Sequence, residues 1–419
     1  MRDPEHTGGG PVAKAQQAPH RLLAPDFARG GMLLLIVLSN TSFFLYASDY
    51  AGAMDYPVPS SAADSVTQFL MIALLDVRVY PLFAFLVGYG IVQTLQRRIA
   101  AGASDREAAA MVQRRNRWLF VFGFVHAALL LGTEVLAAYG LIGLVLCALV
   151  LRGGEQRTRI AALTGVGLLT AGLVLAVAAL AVIAVVSPDL GAPAAAGEEA
   201  NSSFTNGAGE DSYLTSVVVR LVSWVVLLFV NGFGIVLPTA MLIGMWAARH
   251  RVIEEPAPHL RLLRTVAVGG VVLGVAGALP TALDQAGALD VPPAAGISGA
   301  AMFVLDWTSG LAGGLGYVAV FVLVAERLTR ARRAPVVVRS VSNLGKRSLS
   351  GYVSHSVVMT PVLSAWGLGL GAHLTNASMA LFAVGLWLLT VVAASVMERY
   401  GRRGPLEVLL RRLSYGRSA

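Results

Sequence analysis

Two ionisable residues, His126 and Glu134, stand eight positions apart in the apolar stretch Arg117–Gly143, RWLFVFGFVHAALLLGTEVLAAYGLIG. An ionisable group inside a lipid-spanning segment is costly and marks a site by default. Imidazole is the natural general base near neutral pH, and it can also carry an acyl group as a nucleophile. Glu134 follows the break at Gly132–Thr133, at the tip of an expected helical hairpin. There it would orient His126 or contact an acceptor hydroxyl. The structural alternatives are a histidine bonded to a neighbouring helix and a solvated turn carboxylate.

Other groups fall in or beside apolar runs. Asp76 and Arg78 flank a kink before Pro81; residues two apart do not share a helix face, so they pair only if the helix is broken there. Arg78 can hold a carboxylate or phosphate in two parallel bonds, or it can snorkel to the headgroups. Asp26 and Arg29 precede Gly30–Gly31 at the start of the first apolar run, where a basic group could receive an anionic ligand. Alternatively, Asp26 caps the helix and Arg29 anchors it. Arg220 and Asp306 both fall near the outer ends of their runs and are candidates for a mutual ion pair. His355 lies about eight residues into its run, and a structural role is the simpler reading for it. No P-loop, GxSxG or HExxH pattern occurs, and Gly88-Tyr89-Gly90 reads as helix packing rather than a phosphate loop.

The elements that must position these groups follow from composition. Of 419 residues, 56% are hydrophobic and 13% charged, and mean hydropathy is +0.68. Soluble domains carry about 25% charged residues. The deficit implies an all-α, polytopic membrane bundle, because a spanning segment must satisfy its own backbone groups. The net charge of +8 is mostly arginine, clustered in short connections. That is the positive-inside pattern rather than a nucleic-acid footprint. Cys147 is the only cysteine, so no disulfide or thiolate metal cluster is expected, and no metal is predicted.

Along the chain, residues 1–20 read as a disordered cytoplasmic tail, residues 21–400 as the transmembrane domain and residues 401–419 as a basic cytoplasmic tail. The run 66–95 would measure about 45 Å as one helix, too long for a hydrocarbon core of about 30 Å. A short helix, a kink near Asp76–Pro81 and a span are therefore expected. The polar segment 187–212 carries five acids and no basic residue, which suits an outer loop. The run 213–248 is broken at Asn231–Gly232 and Pro238, and the alternation of basic and acidic loops makes it one bent crossing. About ten crossings result, with both termini in the cytoplasm.

Several blocks together resemble the DUF418 (YeiB-like) family of bacterial inner-membrane proteins. They read RLLAPDFARGGMLLLIVLSN at 21–40, VYPLFAFLVGYG at 79–90, RRNRWLFVFGFVHAALLLGTEVLAAYGLIGL at 114–144, LGKRSLSGYVSHSVV at 344–358 and GPLEVLLRRLSY at 404–415. They keep the family's order over nearly the whole chain. The resemblance places the D-x-x-R-G pattern on Asp26, Arg29 and Gly30, and the family's histidine on His126. Glu134 stands where the family usually has Asp. The S-L-T-N-Y block becomes Ser348, Leu349, Ser350, Gly351, Tyr352 without its Asn, and His355 replaces a common Gln.

The family looks related to transmembrane acyltransferases. That implies a cytoplasmic acyl-CoA donor, an outer-face or lipid-linked acceptor, contact with membrane lipid and a multi-pass location in a bacterial plasma membrane. A homo-oligomer is compatible with it. On this reading His126 and Glu134 are catalytic, while Asp26, Arg29, Asp76, Arg78, Arg220, Asp306 and His355 bind substrate. The alternatives are a transporter or flippase for a small amphipathic or lipid-linked molecule, favoured by the broken helices, and a non-catalytic membrane partner.

Overall fold

A computed structural model describes residues 23–47, 56–149, 154–186, 207–289, 297–329 and 335–415. The expected tail 1–20 and most of the polar loop 187–212 lie outside these residues. Fourteen α-helices and no strand occur among the described residues. They are α1 (Leu23–Ser39), α2 (Ala62–Leu74), α3 (Val79–Ala100), α4 (Asp105–Leu129), α5 (Leu136–Leu149), α6 (Gly154–Val186) and α7 (Tyr213–Phe233). There follow α8 (Val236–Arg249), α9 (Leu260–Gln285), α10 (Ile297–Thr329), α11 (Val336–Gly345), α12 (Ser348–Leu363), α13 (Asn376–Arg399) and α14 (Pro405–Tyr415).

Among the described residues, six helical stretches are long and apolar enough to cross a membrane: 62–100, Gly154–Val185, Tyr213–Phe233, Ala257–Gln285, Ile297–Leu328 and Asn376–Arg399. The remaining expected crossings fall on α1, α5 and α12, which have 17, 14 and 16 residues, and on α4, whose first half is charged; α8, of 14 residues, is the second half of the expected bent crossing 213–248. Large apolar side chains stand exposed on α6 and α7, including Leu175, Val185, Leu214 and Phe233. A surface of that kind belongs in lipid rather than water.

Each of the three stretches expected to break does so, but Asn231–Gly232 lie within α7 and Pro238 within α8, and the third break falls between them. α2 and α3 are separated by Leu75–Arg78, where Val77 takes φ 62°, a strained value for a β-branched residue. α4 and α5 form the hairpin around Gly132–Thr133, and α7 and α8 part at Gly234–Ile235.

Contacts divide the helix ends into two faces. On the basic face, Arg98 stacks on Tyr415 at 4.0 Å, Glu398 binds Lys346 at 2.5 Å and Arg347 at 2.8 Å, and His250 meets Glu155 at 3.0 Å. On the opposite face, Asp64 at the start of α2 accepts the Ala377 N–H at the start of α13 (2.9 Å). There too, the Ala365 N–H binds the Ala208 carbonyl (2.8 Å).

The basic tail read from sequence is a helix over Pro405–Tyr415, packed on α4 and α12. It is amphipathic, with Leu410 and Ser414 buried. Glu407 fastens it by accepting the N–H groups of Leu349 (2.8 Å) and Ser350 (3.1 Å) and the Ser350 hydroxyl (2.5 Å). A carboxylate there caps the first turn of α12.

Packing in the interior relies on small residues, which let helices approach where no hydrophobic drive separates helix from lipid. A Cβ on Gly123, Gly140 or Gly143 would strike the partner helix of the α4–α5 hairpin. Gly270, Gly274 and Gly277 of α9 meet Ser309, Gly313 and Gly316 of α10 in the same way.

Candidate functional site

The α4–α5 hairpin carries His126 and Glu134, but it does not bring them together by a hydrogen bond. Glu134 caps α5: its carboxylate accepts the N–H groups of Leu136 (2.5 Å) and Ala137 (3.2 Å) and the indole N–H of Trp224 (2.7 Å). These donors occupy the positive end of α5, where a carboxylate is favoured.

The expectation of Glu134 at the hairpin tip, with a solvated carboxylate as the alternative, is therefore corrected. Arg220 of α7 donates to the Ala128 carbonyl (3.2 Å). Trp224, one helical turn further along α7 and away from the Tyr213 end, reaches Glu134. The connection after α4 thus folds back inward, and Glu134 is only 3% exposed.

His126 is buried near the end of α4, its ring 5.2 Å from that of Tyr352 on α12. Neither ring nitrogen has a hydrogen-bond partner among the described residues. A buried imidazole normally finds one, so His126 is the least satisfied ionisable group of the hairpin. Tyr352 stands between it and the interior space described below.

Asp76, Arg78 and Asp306 form a knot at the α2–α3 break. Arg78 is fully buried and its Nη2 binds Asp306 Oδ1 at 2.8 Å and the Gly274 carbonyl at 2.8 Å. Its Nη1 donates to the carbonyls of Ile72 (3.2 Å) and Asp76. The Asp76 carboxylate instead accepts from Tyr56 (2.7 Å) and Ser39 (3.3 Å).

The expected Arg220–Asp306 pair does not form. Arg220 is taken by Ser216 Oγ (2.6 Å) and Ala128 O, with its guanidinium 5.2 Å from the Tyr213 ring centre. It makes no ion pair with a carboxylate among the described residues, and its cost is met by a hydroxyl, a carbonyl and an aromatic face. His355 shares a 3.1 Å hydrogen bond with Thr390, which joins α12 to α13. Asp26 is buried, and Arg29 reaches its Oδ1 at 3.4 Å.

Hollow space links these elements. A cavity of about 230 Å³ opens near the basic face, with Arg29, Arg115 and Lys346 in its wall and Phe83, Tyr139 and Tyr352 at its inner end. Gln93 in the same wall donates to Glu254 (2.5 Å) in the α8–α9 connection; burial pushes that carboxyl above its ordinary range. The guanidinium of Arg115 has a buried Nη1 without a partner among the described residues.

Phe83, Tyr139 and Tyr352 also line a narrow central pocket of about 10 Å³, together with Ser39, Asn40, Tyr80 and Thr133. Tyr80, Thr133 and Val135 are shared in turn with a third hollow of about 300 Å³ at the α7–α8 break. The three spaces adjoin through shared walls, with the tyrosine-lined centre as the constriction.

Sequence reasoning missed Tyr80, Tyr139, Tyr352, Arg115 and Lys346 as lining residues. Tyrosines inside apolar spans look like core, and the two cations look like anchors of a basic loop. Trp224, the partner of Glu134, carried no signal either.

Residues 247–417 match the family model described as "Protein of unknown function (DUF418)". The chain is 23% identical over 413 residues to the uncharacterized protein YxaH of Bacillus subtilis (strain 168), covering 93% of each chain. It is 26% identical over 413 residues to the uncharacterized protein YeiB of Escherichia coli (strain K12), covering 93% of this chain and 95% of that one. An uncharacterized 39.9 kDa protein of Bacillus acidopullulyticus is 31% identical over 122 residues, 29% of this chain and 32% of that one. With its apolar helices and these bacterial relatives, the chain is a multi-pass helical membrane protein that is similar, over residues 247–417, to the DUF418 family.

Proposed function

We propose that this protein is a membrane-embedded acyltransferase of a bacterial plasma membrane. It takes an acyl group from a cytoplasmic acyl-CoA and passes it to an acceptor reached from the bilayer or the outer face. Placement of the basic face in the cytoplasm rests on its arginine-rich connections. Ten crossings, with both termini inside, account for the alternation of basic and acidic connections.

The observation that carries the reading is the junction of the basic-face cavity with the interior at Phe83, Tyr139 and Tyr352. Arg29, Arg115 and Lys346 suit the phosphates of a coenzyme A ester, and the unpartnered Arg115 Nη1 suits an anion. The tapering apolar inner end suits the acyl thioester.

His126, one ring behind Tyr352, serves as general base once Tyr352 turns aside. It takes the proton of the acceptor hydroxyl as the oxygen attacks the thioester carbonyl. The C–S bond breaks, an ester C–O bond forms, and the imidazolium returns its proton to the coenzyme A thiolate. Glu134 supports the reaction by fixing the start of α5.

The test is transfer of a labelled acyl group from acyl-CoA in proteoliposomes. His126→Ala is expected to lower transfer by about 10²–10⁴-fold, the usual contribution of a general base. Arg115→Ala is expected to raise the KM for donor with little change in kcat. Unchanged transfer in a stably folded His126→Ala protein rules out this role. The second reading, a transporter for an amphipathic molecule, is favoured by the hollows at the two helix breaks. It predicts movement of a labelled amphiphile across the bilayer without acyl-CoA.

A further inference from the structure

The hollow at the α7–α8 break holds none of the residues given a role in the transfer step, and its lining is unusual for a lipid-facing defect. It adjoins a second hollow of about 350 Å³, sharing Val230, Asn231, Phe303 and Trp307. Around its mouth Phe229, Phe233, Ile235 and Phe303 are exposed, so it opens sideways toward hydrocarbon. Asn231 lies 18 residues along α7 from Tyr213, or about 27 Å at 1.5 Å per residue. Only α8 separates it from the basic face, so it sits deep in the membrane.

Two polar side chains in this wall have no satisfied role. Asn231 is 6% exposed and Thr133 7% exposed. Among the described residues, Asn231 Oδ1 and Thr133 Oγ1 both lack a hydrogen-bond partner. Burying such groups unpaired costs about 1–3 kcal/mol each, and apolar residues of similar size would fit the same walls. Thr133 also faces the central pocket with Tyr80, so a group bonded there would stand at the constriction. Phe303 and Trp307 line the hollow with Asn231, their ring centres 5.5 Å apart and their planes tilted by 39°; an apolar aromatic wall of this kind suits an alkyl chain.

We infer that this hollow is a binding site for a bilayer amphiphile. Its hydroxyl-bearing end engages Asn231 and Thr133, and its alkyl chain lies against Phe303 and Trp307 and out into the lipid. The inference deepens the acyl-transfer reading by naming the acceptor class, a membrane-soluble alcohol that arrives sideways while the donor arrives from the basic face. As a binding site it does not depend on that reaction.

The experiment is photolabelling of the full-length protein in nanodiscs with a diazirine-bearing long-chain alcohol, read by peptide mass spectrometry. The matching diazirine alkane without the hydroxyl is the control. Alcohol labelling is expected to concentrate on the segments around residues 130–135 and 226–237 and on α10 near Phe303, and excess unlabelled hexadecanol should displace it. Asn231→Leu and Thr133→Val, each close in size to the original, are expected to lower alcohol labelling by about tenfold, the weight of one to two lost hydrogen bonds. They should leave alkane labelling unchanged, which also reports that the hollow is intact.

Equal labelling by alcohol and alkane, or labelling spread evenly along lipid-facing α6, overturns the site. Focused labelling without any acyl transfer keeps this site and removes the transferase reading. Transfer to a water-soluble acceptor without focused labelling does the reverse.

Discussion

At the scale of single residues, the charges divide into those that are satisfied and those that are not. Arg78 and Asp306, 228 positions apart, hold each other at 2.8 Å in the interior. Removing one member of such a pair leaves an uncompensated buried charge, at about 3–5 kcal/mol. Asp306→Leu is therefore expected to lower the melting temperature in detergent sharply. Arg78→Met combined with Asp306→Leu should recover most of the loss, because an apolar pair of similar volume is often neutral. Additive losses in a fluorescence-detected melting series would contradict the coupling. By contrast, His126 has no hydrogen-bond partner among the described residues, and that asymmetry is why the chemistry is assigned to it rather than to the better-bonded Glu134.

Helices are held in place by where they stop and by how closely they approach. Gly88 of α3 faces the backbone of Met241 on α8, and Gly244 of α8 faces the backbone of Phe85; a Cβ at either would collide with a carbonyl. Gly90, two residues on, faces open space. Gly88→Ala and Gly244→Ala are expected to destabilise the bundle. Gly90→Ala should be neutral or slightly stabilising, since alanine favours the helix by about 1 kcal/mol over glycine. Thermal stability of purified variants by size-exclusion chromatography checks the contrast. Most of this level was legible in the sequence, because Gly132–Thr133, Asp76–Pro81 and Asn231–Pro238 are breakers whose physics is local. The α14 helix was not, because Arg402, Arg403, Arg411 and Arg412 hide an apolar stripe that only α4 and α12 complete. The partners of Arg78 and Arg220 were not legible either. Ion pairing between helices is set by three-dimensional register, and a sequence shows depth without azimuth. The tyrosine-lined centre escaped for a related reason: Tyr139 and Tyr352 differ from core aromatics only in what lies beside them.

For the whole molecule, the two faces are the organising fact. Ala101 follows α3 on the basic face, and Ser212 precedes α7 on the opposite one; both are exposed. Cys147 is buried, and replacing it by alanine gives a background for single added cysteines. Ala101→Cys is expected to react with a membrane-impermeant maleimide only after cells are opened, and Ser212→Cys in intact cells. The reverse pattern would place the basic cavity outside and remove any access for a cytoplasmic thioester.

The constriction between the hollows has a further consequence for a cell that stores energy as an ion gradient. Two large openings, one watery and one oily, come within a few side chains of meeting. Were they joined by a column of water, protons would run through and the gradient would collapse. A pocket of about 10 Å³ admits no more than about one water, and the aromatic rings of Phe83, Tyr80, Tyr139 and Tyr352 surround it. A gap of that size keeps the membrane electrically tight between the two hollows, and this electrical seal is the same narrow gap that brings them together.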